Sequence, residues 1–167
     1  MSHDTFVYFA YGSNMLGPRM LLRAPSARRI GLASLPNFSL RWHKVSKDGS
    51  GKCDIEAESG SVVYGVLYEI KLADKPGLDL AEGLSTGYRE VQLEVHTDRG
   101  TQMVTSYQAT NIDRYTTPYS WYKTLVLEGA RQQQLDPVYI RALEAVPSRE
   151  DRNSERAADN LKALHAH

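Results

Sequence analysis

Three stretches of this 167-residue chain hold side chains that can do chemistry. The first is Tyr11-Gly12-Ser13-Asn14, followed by Met15, where an apolar run over residues 6–10 stops abruptly. Glycine at such a corner lets the backbone turn and lets a ligand come close to the main chain. The first N–H groups of a helix starting there have no acceptor within the helix, and they attract a carboxylate or a developing oxyanion. The second stretch is "LAEGLSTGYR", residues 80–89, in which Glu82 stands between an apolar-containing segment and the glycines Gly83 and Gly87. A carboxylate held at a strand entrance beside aromatic groups is desolvated, and desolvation moves its pKa towards the range that general acid–base work requires. The third is aromatic: Tyr88, Tyr115, Tyr119, Trp121 and Tyr122, in a chain with ten tyrosines. An apolar ring with a polar tip suits the wall of a small-molecule pocket. Each feature also has a plainer counterpart: a tight turn with Asn14 as a helix cap, a glutamate at a helix end, and rings packed in the interior.

Other constellations are missing. The histidines are His3, His43, His96, His165 and His167, none at metal-ligand spacing, so the sequence predicts no metal site. The corner is neither a G-x-S-x-G elbow nor a phosphate loop, which leaves Ser13 without a claim to be a nucleophile. The single cysteine, Cys53, can form no internal disulfide and reads as a small buried residue.

The elements that must position these residues are strands first and helices last. Residues 6–10 read as a strand buried on both faces, and 16–23 as a helix of a turn or two with Pro18 near its start. Phe38, Leu40 and Trp42 alternate as a half-buried strand does; a polar loop over 44–52 follows, then the β-branched strand "VVYGVLYEI" at 62–70. Residues 91–95 and 103–107 form a hairpin around Asp98-Arg99-Gly100. Helical spacing covers 121–134 and 137–146, the latter with Asp136 as cap, and the charged residues 148–160 predict a solvated helix or a frayed tail. The length fits one domain over 1–147 with a charged appendage over 148–167. Lys plus Arg equals Asp plus Glu at 20 each, which argues against a general nucleic-acid footprint. No apolar segment approaches a membrane span or a secretory signal, so the expectation is a soluble, cytoplasmic protein.

Taken in order, "FVYFAYGSNM", "VYGVLYEI", "AEG…TGYREV" and "P.SWYKTLVLEGA" resemble the γ-glutamylcyclotransferase family, from Phe6 to about Val146. The segment "YKTLVLEGARQQQLDPVYIRAL" looks like the branch that acts on γ-glutamyl peptides rather than the glutathione-specific or γ-glutamylamine branches. The resemblance implies an α+β fold, a small mixed β-barrel flanked by helices with the pocket at one end. It implies a cofactor-independent cyclisation: the α-amine of a γ-glutamyl amide attacks its own γ-carbonyl, giving 5-oxoproline and a free amine. By similarity Glu82 is the catalytic proton carrier. The backbone of Tyr11, Gly12, Ser13, Asn14 and Met15 holds the glutamyl unit, by its α-carboxylate or its oxyanion, and Tyr88 and Tyr122 contact substrate. Residues 47–55, "KDGSGKCDI", are then a candidate mobile loop whose lysines meet a second substrate carboxylate. A γ-glutamyl-protected biosynthetic intermediate, a γ-glutamylamine, or a binding protein without turnover are the alternatives. The family also offers homodimers.

Overall fold

The computed structural model describes residues 4–83 and 87–165. Strands β1 (Thr5–Ala10), β2 (Arg28–Val45), β3 (Gly51–Lys71), β4 (Tyr88–Thr97) and β5 (Gly100–Ala109) close a barrel in the order β1-β3-β2-β4-β5. All neighbours are antiparallel except β1 and β5, which run parallel at Tyr8 and Thr105. Helices α1 (Gly17–Arg23), α2 (Lys75–Glu82), α3 (Ser120–Gln132), α4 (Pro137–Glu144) and α5 (Ser154–Leu161) surround it. No helix among the described residues is long and apolar enough to cross a membrane.

Strand β1 is continuously apolar because it is covered on both sides, and Tyr8, Phe9 and Ala10 are all buried. The core joins Phe9, Leu35, Val63, Val66, Ile70 and Val95 of the strands to Met20, Leu78, Leu125 and Val126 of the helices. In β2 the register slips at Arg29/Gly31, Pro36/Phe38 and Arg41/Lys44. Pro36 has no N–H to give a ladder, and Asn37 beside it takes φ 63°, a left-handed conformation asparagine tolerates, so the hairpin bends there.

Two expectations need correction. Residues 51–55 of the expected loop are strand, and β3 runs unbroken from there into 62–70, because their partner is the far half of β2: Ile55 pairs with Leu40 and Glu56 with Ser39. The charges that hide this strand are matched across the sheet, Glu56 by Arg41 at 2.9 Å and by Arg114 at 2.5 Å. Helix α1 is not capped by Asn14; Leu16 holds that position with no side-chain hydrogen bond, and Asn14 lies in a preceding 3₁₀ turn, Ser13–Met15. The charged C-terminal segment forms α5, started by Asn153 Oδ1 accepting from Arg156 N at 3.0 Å.

Candidate active site

The site lies where β1 leaves the barrel. Gly12 follows the strand, and a Cβ there would sit 3.2 Å from both Cys53 Cβ and Tyr122 Oη, so the main chain passes closer to β3 and α3 than a side chain comfortably allows. The turn Ser13–Met15 then folds Asn14 inward. The amides of Ser13 and Asn14 open this turn, whose first hydrogen bond is donated by Met15 N to Gly12 O at 3.1 Å. From the other side comes α2, whose last residue is Glu82; Gly83 stops the helix in the left-handed conformation, φ 71°.

These pieces meet at one carboxylate oxygen. Asn14 Nδ2 donates to Glu82 Oε1 at 2.5 Å and to the Tyr8 hydroxyl at 3.1 Å, and Tyr8 donates to the same Oε1 at 3.4 Å. Asn14 Oδ1 is buried with no hydrogen-bond partner among the described residues. Burial first and Glu82 second raise the Tyr8 hydroxyl well above the ordinary tyrosine pKa, so it stays a neutral donor. Helix α2 is tied down three residues before Glu82: Asp79 accepts from the Tyr107 hydroxyl and from Lys75 Nζ at 3.0 Å.

Two connected hollows share Ser13, Glu82, Tyr88 and Tyr122. The inner one, about 30 Å³, is walled mainly by tyrosines and Cys53; the outer one, about 200 Å³, opens beside Arg19, Arg23, Lys44, Lys47 and Lys52. Tyr88 donates to Cys53 O at 2.6 Å and Tyr122 accepts from Cys53 N at 3.1 Å, so both hydroxyls point to the main chain of β3 while the rings wall the hollows. Burial holds Tyr11, Tyr88 and Tyr122 neutral and pushes the Cys53 thiol far up, which removes it as a nucleophile. Burial also brings Arg19 down to about 10 and Lys52 to about 8, and lowers Lys44.

The sequence profile of the AIG2-like family matches residues 62–143. A γ-glutamylcyclotransferase from Bos taurus is 32% identical over 168 residues, covering 95% of this chain and 89% of the relative. The chain belongs to the γ-glutamylcyclotransferase family. A Homo sapiens γ-glutamylcyclotransferase is likewise 32% identical, over 86% of this chain and 79% of its own. A solved structure titled γ-glutamyl cyclotransferase superposes with a TM-score of 0.85 at 30% identity, over 95% of this chain and 99% of that one. The mixed barrel with surrounding helices is thus the α+β fold of γ-glutamylcyclotransferases.

Of the residues that γ-glutamylcyclotransferase resemblance assigns, the structure brings Glu82, Tyr11, Gly12, Ser13, Asn14, Tyr88 and Tyr122 to the walls of the hollows. Tyr11 uses its hydroxyl on Tyr107 O at 2.5 Å, and Ser13 Oγ accepts from Arg19 Nε at 2.9 Å. Met15 is fully buried behind the turn, its carbonyl accepting from Tyr68 at 3.1 Å and Gln133 at 3.0 Å. Residues 84–86 of "LAEGLSTGYR" lie outside the described residues. Tyr115 is 95% exposed and walls nothing, while Tyr119 and Trp121 are buried outside both hollows.

The candidate lid is also different. Residues 51–55 are strand, and the turn before them is held by Tyr119 Oη on Asp48 O at 2.9 Å, Arg149 Nη2 on Gly49 O at 2.8 Å and Gly51 N on Thr117 O at 2.9 Å. Its lysines, Lys47 and Lys52, line the outer hollow. Sequence reasoning missed Tyr8, Tyr107, Arg19, Arg23 and Lys44. Tyr8 and Tyr107 read as core residues of strands, and no local spacing separates a core tyrosine from one whose hydroxyl reaches a carboxylate.

Proposed function

We propose that this chain is a γ-glutamylcyclotransferase in which Glu82 carries the protons and the Ser13–Asn14 turn holds the glutamyl unit. The observation that supports this most directly is the convergence of Tyr8 and Asn14 on one oxygen of Glu82, at the junction of the two hollows. Among the described residues both of these bonds go to the same oxygen, and the second oxygen suits the reacting amine.

The reaction requires that the substrate curl and that protons move in order. The free α-amine attacks the γ-carbonyl carbon, forming the ring C–N bond. Glu82 takes a proton from that nitrogen and returns it to the departing nitrogen as the amide C–N bond breaks. The products are 5-oxoproline and a free amine, and no water is consumed. Holding reacting atoms in contact supplies much of the acceleration of such an intramolecular step, and one carboxylate serves as base and then acid. The opening amides of the turn suit an anionic oxygen of the glutamyl unit, and Asn14 Oδ1 suits a hydrogen of its α-amine. The cationic outer hollow favours a leaving amino acid with its own carboxylate over an amine with a positive charge. We place this activity in the cytoplasm, where an unpaired thiol such as Cys53 is ordinary.

The test is 5-oxoproline release from γ-glutamyl-alanine by wild type and Glu82→Gln. Gln keeps an oxygen that accepts from Asn14 but cannot take a proton. The variant should melt with wild type and lose about 10²–10⁴-fold in kcat. Equal turnover by both proteins would remove Glu82 from the mechanism, and no ring product from wild type would remove the reaction.

A further inference from the structure

The outer hollow concentrates charge in a way that cyclisation itself does not require. Positive and negative side chains balance at 20 each over the whole chain. Around this opening, five cations stand against two carboxylates, Glu82 at its wall and Asp48, which lies 3.5 Å from Lys52 Nζ. Most of the cations are supported by neutral groups. Arg19 donates to Ser13 Oγ at 2.9 Å and to Asn160 Oδ1 at 3.2 Å. Lys52 Nζ lies 5.0 Å from the Trp121 ring centre and 4.9 Å from that of Tyr122, and Lys44 Nζ lies 4.7 Å from that of Tyr88. Arg23 keeps a buried Nε without an acceptor among the described residues.

Such an arrangement is costly unless something anionic enters it. Like charges drawn together out of water repel and lose hydration, and the lowered pKa values of Lys52, Arg19 and Lys44 register that burial. A γ-glutamyl amino acid with a neutral side chain brings one carboxylate on the leaving half. Arg19 and Lys52, the more deeply set pair, are placed to take it, which leaves Arg23 and Lys44 of the same lining.

We propose that the outer hollow selects leaving groups carrying a second carboxylate, so that γ-glutamyl derivatives of acidic amino acids are the favoured substrate class, with Arg23 and Lys44 reading the added charge. This deepens the cyclotransferase reading and rests on it. It identifies both residues as specificity determinants rather than catalytic groups. Arg23, whose Nε has no acceptor among the described residues, and Lys44, set over the Tyr88 ring, line the same hollow and suit a carboxylate reaching past the backbone of the leaving amino acid.

The experiment compares γ-glutamyl-glutamate with γ-glutamyl-glutamine, which match in shape and differ by one charge. Wild type should favour the glutamate form in kcat/KM by about tenfold to a hundredfold, the range of one or two charge-assisted hydrogen bonds. In the Arg23→Gln, Lys44→Gln double variant that ratio should fall close to one. Wild-type parity or a preference for glutamine overturns the proposal, and a ratio that survives in a folded double variant overturns the assignment of the two residues. Salt tests wild type alone: the preference should shrink at high ionic strength, and a salt-independent ratio counts against charge reading. Calorimetric binding of the two dipeptides separates this inference from the reaction. If neither yields 5-oxoproline, the cyclotransferase reading fails, while tighter binding of the glutamate form still supports the charge filter and equal binding sinks it.

Discussion

Lys52 shows at the scale of one residue what it costs to bury a charge in the candidate site. Its ammonium is hemmed in by Asp48 from the turn, Arg19 and Arg23 from α1, Lys44 from β2 and the rings of Trp121 and Tyr122 from α3. Burial is the largest influence and brings its pKa from 10.5 to about 8. The unfolded chain therefore holds this proton over a pH range where the folded chain has released it. Stability from this group rises as pH climbs from about 8 to 10.5, and below 8 the full cost of burying the charge is present. Lys52→Met should be more stable than wild type near neutral pH, by at most about 3 kcal/mol and less for the abandoned Asp48. The difference should vanish as the pH approaches the ordinary lysine range, which denaturant titrations across that range will measure. The same substitution should raise KM about tenfold near neutral pH. Wild-type KM should climb above pH 8 as the ammonium is lost, and the variant should lack that climb. At this scale Glu82 before a glycine and the Gly-Ser-Asn corner after a buried strand were singled out locally, but only the order of the motifs along the chain, through the family resemblance, set them together at one site. Tyr8 and Arg23 were not singled out, because their roles depend on partners 74 residues away or on a cluster that forms only when α1 and β2 meet.

An element matters here for the angle at which it presents one side chain, and α2 is the clearest case. It has eight residues and one fully buried side chain, Leu78, so packing alone holds it weakly. What fixes it is Asp79, which accepts a hydrogen bond from the buried Tyr107 hydroxyl and pairs with Lys75, itself bound to Glu90 of β4. Asp79 and Glu82 are three apart and share a helix face, so a shift of one moves the other. Asp79→Ala should cost about 1.5–3 kcal/mol for the lost charged hydrogen bond, and it leaves Tyr107 without its acceptor. It should also lower kcat about tenfold with a smaller change in KM, since the Ser13–Met15 turn, proposed to hold the glutamyl unit, is untouched. Asp79→Asn, which can still accept from Tyr107, should recover most of the rate. If Asp79→Ala melts lower at undiminished kcat, α2 does not need this tie to aim Glu82. The hairpin of β4 and β5, with its Asp-Arg-Gly turn, and helices α3 and α4 were legible because local pattern and tertiary role agree. The outer arm of β3 was not. Glu56 and Glu58 look like loop residues until Arg41 and Arg114 are set against them, and that pairing is made by the fold.

For the molecule as a whole, the question is what keeps the barrel mouth in shape once β1 has turned away from it. The C-terminal segment does much of this, although its composition reads as a solvated helix or a frayed tail. Ser120 N donates to Arg149 O at 2.7 Å at the start of α3, and Arg149 reaches over the Tyr119 ring to Gly49 O. Asp151, whose carboxylate Arg156 holds well below the usual range, accepts from the Trp121 indole at 2.9 Å. Farther on, Asn160 of α5 supports Arg19, which in turn holds Ser13 of the 3₁₀ turn Ser13–Met15. The segment is a strap joining α3, the β2–β3 turn and α1, which carry Tyr122, Lys47, Arg19 and Arg23 of the hollows' lining. Its apolar contribution is small, with Ala163 buried and Leu161 and Leu164 packed at the margin. A chain ending at residue 147 should therefore fold, because the barrel core lies elsewhere. It should melt lower by about 5–10 °C, the expectation for a few kcal/mol in a domain of this size. Its KM should rise more than its kcat falls, since Arg19 and the lysine-bearing turn lose support while Tyr8, Asn14 and Glu82 keep theirs. Asp151→Ala in the full chain separates the strap from mere chain length: freeing Trp121 and Arg156 should reproduce part of both changes. Wild-type kinetics from the shortened chain would show that the barrel mouth holds its shape without the strap.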